Sequence, residues 1–61
     1  MITLTNCELL EKANRIAEEN GLPTGTYIQR SYYAAESGAL RFIVAGNRFE
    51  CLKTGEVVWK P

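Results

Sequence analysis

Sixty-one residues and 6.8 kDa set the scale of one small domain, in which folding hides only about 60% of the surface of the extended chain. Seven lysines and arginines balance seven glutamates, and the sequence holds no aspartate and no histidine. Those absences exclude Ser–His–Asp triads and histidine-based metal sets, and the zero net charge argues against a strong general field for nucleic acid or an anionic membrane.

The charge is unevenly spread. Residues 1–25 carry Lys12 and Arg15 against Glu8, Glu11, Glu18 and Glu19, a net −2. Residues 26–61 carry Arg30, Arg41, Arg48, Lys53 and Lys60 against Glu36, Glu50 and Glu56, a net +2. The opening residues have no basic stretch, and no long apolar run follows them. Neither a secretory leader nor a membrane span is expected, and a cytoplasmic location would keep Cys7 and Cys51 as reduced thiols.

The first element in chain order is a helix. In Thr5-Asn6-Cys7-Glu8 the Thr5 hydroxyl can accept from the Glu8 amide while the Glu8 carboxylate reaches back to the Thr5 amide, with Leu4 and Leu9 at the positions of a hydrophobic staple. Leu9, Leu10, Ala13, Ile16 and Ala17 recur on one helical face, and Glu8–Lys12 and Glu11–Arg15 have the spacing of favourable i,i+4 pairs on the other. Gly21 offers a left-handed stop, Leu22 can fold back on Ala17 or Ile16, and Pro23 blocks continuation. The pattern predicts a helix over 6–20.

Residues 26–60 alternate in polarity and carry turn signals at short spacing, which predicts strands at about 27–35, 39–45, 48–52 and 56–60. A Gly46-Asn47 turn would set Val44 against Phe49 and Phe42 against Cys51. A three-residue Lys53-Thr54-Gly55 loop sets Val57 against Cys51 and Trp59 against Phe49, and a similar Glu36-Ser37-Gly38 loop would set Tyr32 against Phe42 and Ala34 against Leu40. One sheet face then collects Ile28, Tyr32, Ala34, Leu40, Phe42, Val44, Phe49, Cys51, Val57 and Trp59. Arg30 is the misfit, because this register turns it inward. Residues 2–4 would add a short edge strand. The expected architecture is α+β: one N-terminal helix packed on one face of a four-stranded antiparallel meander (α-β-β-β-β), a two-layer sandwich forming a single domain over 1–61.

Chemistry is scarce. The helix carboxylates stand at salt-pair spacing and fit a solvated face, although Glu8, Glu11, Glu18 and Glu19 could also meet a basic partner. Cys7 falls in the first helical turn, where a thiol can be activated, yet no histidine or second cysteine accompanies it; Cys51 falls on the core face. No two glycines form a phosphate-cradling loop, and turn chemistry is expected to account for all five. The chain is expected to be a non-enzyme with no cofactor and no metal.

The surface with most to offer is the uncovered sheet face, expected to present Tyr27, Tyr33, Arg41, Ile43, Arg48, Leu52 and Val58. Apolar and aromatic groups among charges of both signs suit a protein partner or a second copy of the chain, and an ordinary solvated face is the plain alternative. The expected function is a small protein-interaction module, inhibitory or regulatory, that binds through this face as a homodimer; the size matches small accessory proteins of bacteria and phages. The alternative is a single-stranded nucleic-acid-binding module in which Tyr27 and Tyr33 stack on bases while Arg41, Arg48 and Lys60 follow phosphates.

Overall fold

The computed structural model describes residues 4–61. Helix α1 (Asn6–Glu19) is followed by β1 (Arg30–Tyr33), β2 (Leu40–Val44), β3 (Asn47–Cys51) and β4 (Val57–Trp59), which pair antiparallel in chain order. The helix lies across one face of the sheet, over β2 and β4, giving the two-layer α+β sandwich that the polarity pattern predicts. The short edge strand expected at residues 2–4 falls mainly outside the described residues; Leu4 belongs to no strand and packs against the core.

Both helix ends form as their residues dictate. The Glu8 amide donates to Thr5 Oγ1 at 3.2 Å, and the Thr5 amide donates to Glu8 Oε1 at 3.1 Å, completing the capping box. The Thr5 amide, joined by the Thr5 hydroxyl donating to the same Oε1 at 3.1 Å, stabilises the ionised carboxylate and holds the Glu8 pKa below its usual 4.5. At the other end Leu22 N–H donates to Ala17 O at 2.8 Å and Gly21 N–H to Glu18 O at 3.4 Å, with Gly21 at φ +69°, a Schellman ending. The i,i+4 charge pairs are not closed: among the described residues the one salt bridge is Arg41–Glu50.

A contact that the sequence does not signal ties the helix to the connector. Asn14 Nδ2 donates to Gly25 O at 2.8 Å, and Gly25 N–H donates to Asn14 Oδ1 at 3.0 Å. A Cβ at Gly25 would stand 2.9 Å from Val44 Cγ1, so this glycine serves close packing rather than a turn.

Strand registers differ from expectation in two of three hairpins. The β3–β4 pairing is the predicted one, with Phe49 opposite Trp59 and Cys51 opposite Val57. Between β2 and β3 the turn is Ala45-Gly46, both at positive φ (50° and 81°), which is the type I′ arrangement whose twist suits a hairpin. Phe42 therefore faces Phe49, not Cys51, and the rings stack with centroids 5.7 Å apart. A two-residue slip preserves the side-chain alternation, so the core face is unchanged.

In the β1–β2 hairpin the loop is one residue longer than expected. Ala34 N–H donates to Ala39 O at 2.7 Å, and Gly38 N–H donates back to Ala34 O at 2.8 Å. A one-residue change reverses the faces: Tyr32 now lies opposite Arg41, and Arg30 opposite Ile43. Arg30 and Tyr32 leave the helix side, while Ser31 and Tyr33 join it. All four residues of β1 are exposed on both faces, so the reversal exchanges which side chains stand on each side without burying any of them.

The core is Leu9, Ala13, Phe42, Val44, Phe49, Cys51 and Val57, flanked by Leu4, Leu10, Ile16, Ile28, Leu40, Ala45 and Trp59. Burial pushes the Cys51 thiol pKa up.

Two outcomes follow for stability. Ala45 holds a left-handed conformation that costs an alanine roughly 1 kcal/mol, so Ala45→Asn, which creates the favoured Asn-Gly pair, should raise stability by about 0.5–1 kcal/mol in urea unfolding. Because the folded Glu8 pKa is lowered, its contribution is present above pH 4.5 and lost as pH falls through the folded value. Glu8→Gln should therefore lower stability at neutral pH and flatten the loss on acidification, as followed by circular dichroism across that range.

Candidate functional site

The open sheet face is built by alternation along the four strands. One row across it reads Arg30, Ile43 and Arg48, continued by Lys60, whose amide donates to Arg48 O at 2.8 Å. The next row reads Tyr32, Arg41, Glu50 and Val58. Side chains of Arg30, Tyr32, Arg41, Ile43, Arg48 and Lys60 line an open depression of about 470 Å³.

Charge on this face is one-sided. Arg30, Arg41, Arg48 and Lys60 oppose Glu50 and, opposite Leu52, Glu56, a net +2, which leaves −2 for the rest of a neutral chain. Glu50 is 7% exposed and is the one buried charged residue among those described. Arg41 Nε donates to Glu50 Oε2 at 3.0 Å, which neutralises that carboxylate within the sheet surface. The same hydrogen bond, helped by the Tyr32 phenol, raises the Arg41 pKa further above its ordinary value. The guanidinium carbon of Arg30 stands 6.0 Å from the Tyr32 ring centroid, a cation–π distance.

Of the seven residues expected on this face, Arg41, Ile43 and Arg48 line the depression. Val58 shares the face opposite Glu50, and Leu52 continues the same alternation past the end of β3, half-buried. Tyr33, 73% exposed, stands on the helix side instead, because of the longer first hairpin. Tyr27, 64% exposed, occupies the bend that leads into β1. Arg30 and Tyr32 are the additions that sequence reasoning missed. The signal was present, since an arginine turned into the core by a proposed register argues against that register.

Elsewhere the chemistry stays sparse. Cys7 is exposed, and Cys51 is buried with its Sγ 3.7 Å from Leu52 O. Among the described residues no three His, Cys, Asp or Glu side chains come together to hold a metal ion, and no helix is long and apolar enough to cross a membrane. No family model matches the chain, no curated protein matches its sequence, and no solved structure matches its fold.

The roles of the two central arginines differ, and stability separates them. Arg41→Ala leaves Glu50 buried without its partner, whereas Arg48→Ala removes a cation with no carboxylate within salt-bridge distance. Thermal unfolding should show a clear drop in Tm for Arg41→Ala and little change for Arg48→Ala.

Proposed function

We propose that this chain is a non-enzymatic binding module, and that the open face of its sheet takes single-stranded nucleic acid. The observation that carries this reading is the row of Arg30, Arg48 and Lys60, three cations aligned across the strands with no carboxylate among them. Tyr32, 48% exposed beside Arg30, supplies a ring on which a base can stack while the cations meet phosphates. The acidic helix lies on the far side, so a polyanion approaching the sheet meets the positive pole of a neutral molecule. The lack of histidine and aspartate supports a binding role over a catalytic one, and two unpaired thiols fit a cytoplasmic setting.

Fluorescence anisotropy with a labelled oligothymidylate, titrated at several salt concentrations, tests the proposal. Three phosphate contacts predict a slope of log K against log salt near −2, reduced by about 0.7 in Arg48→Ala. Tyr32→Ala should weaken binding by about 1–3 kcal/mol if the ring stacks on a base. No binding at low salt, or binding indifferent to salt, would overturn it.

A protein partner is the second reading, in which the chain acts as an inhibitory or regulatory module. It is favoured by Ile43 and Val58, half-buried apolar side chains set among the charges. Here Ile43→Glu should abolish binding while leaving the fold intact.

A further inference from the structure

Strand β1 is the one strand with all of its residues exposed. The helix sits over β2 and β4, so the helix side of β1 carries Ser31 and Tyr33 without cover, and its other side carries Arg30 and Tyr32. The inner edge of the strand bonds to β2, as Ala34 N–H to Ala39 O shows. Antiparallel alternation then turns the N–H and C=O groups of Arg30 and Tyr32 towards β2, and those of Ser31 and Tyr33 outward. The outer edge has neither proline nor lysine to discourage pairing. All three tyrosines of the chain lie in β1 or the bend before it, and they are 64%, 48% and 73% exposed.

We infer that β1 pairs edge to edge with β1 of a second copy, antiparallel about a twofold axis through Tyr32. In this register Ser31 faces Tyr33 of the second copy at both ends, and each of those pairs exchanges two hydrogen bonds. Registers centred on Ser31 or Tyr33 keep only two of the four bonds within the strand. Tyr32 meets Tyr32 of the second copy at a position where side chains come closest, a favourable aromatic pair. Arg30 falls opposite Ala34 of the second copy and diagonal to its Tyr32, so no like charges meet and a cation–π contact crosses the seam.

The area is modest. At about 200 Å² per ring, Tyr32 and Tyr33 expose roughly 240 Å² per copy. Even with the strand backbones and the Arg30 stems added, the two copies together stay below about 1,000 Å², the range of weak and reversible association. The axis runs perpendicular to the sheet, so both open faces look the same way and form one eight-stranded floor. This pairing shares Arg30 and Tyr32 with the open face, so it is tested at Ser31 and Tyr33, which lie on the other side of β1.

Sedimentation velocity of the full chain from about 10 μM to about 1 mM should show a monomer giving way to a dimer. Ser31→Pro removes an outward donor without touching the β2 ladder and should weaken association at least tenfold with an unchanged circular dichroism spectrum. Tyr33→Lys should do the same and serves if the proline variant does not fold. The Ser31 and Tyr33 amides should exchange more slowly as concentration rises. A monomer throughout the range, a dimer that both variants leave intact, or one lost instead in Ile43→Glu would each overturn the inference. Arg48→Ala, away from the β1 edge, should weaken oligothymidylate binding and leave association unchanged, which separates the two readings.

Discussion

The stacked pair Phe42 and Phe49 is the contact from which the rest of the molecule takes its orientation. The rings lie directly opposite across the central hairpin, almost wholly buried, in one cluster with Leu9 and Ala13 of the helix. Strand alternation does what remains: once these two face the helix, Arg41, Ile43, Arg48 and Glu50 must face away. A domain this small has few such anchors. Truncating a buried phenylalanine costs about 3–5 kcal/mol, which is comparable to the whole stability that a core of this size can supply.

A second feature, the length of the first hairpin loop, finishes the arrangement. The first hairpin loop holds one more residue than its glycine signal suggests, and this puts Arg30 on the open side. That residue moves a cation and a tyrosine from the helix side to the open side. The result segregates charge across the two layers, with the acidic residues of the helix on one and four basic side chains on the other. Glu50, the carboxylate set among those cations, is held by Arg41 and adds little negative field.

The parts legible in the sequence are those governed by local chemistry. The capping box, the Schellman ending and the three-residue loop before β4 follow from Thr5, Glu8, Gly21 and Gly55, each of which has few alternative uses. The core face was legible too, because periodicity survives any even slip of register. Two features were not. Choosing between Ala45-Gly46 and Gly46-Asn47 required knowing that two large rings gain by stacking across the strands, a tertiary preference that outweighs the strain at Ala45. The length of the first loop depended on an alanine-rich stretch, 34–39, with little polarity to mark its boundaries. That one uncertain residue decided whether Tyr32 or Tyr33 belonged to the candidate site, so the face was less legible than the fold that carries it.

The meander also has a kinetic meaning. Every strand pairs with its neighbour in the chain, through loops of a few residues, so the ladder can zip from any hairpin without a long search. Docking the helix is the step that must close a large loop, because it brings residues near the start of the chain against the last strand. The hairpin of β1 and β2 has no such debt to the helix on its outer strand and can fray and re-form while the rest stays closed. The edge strand with all of its residues exposed is thus the part of the fold that yields first.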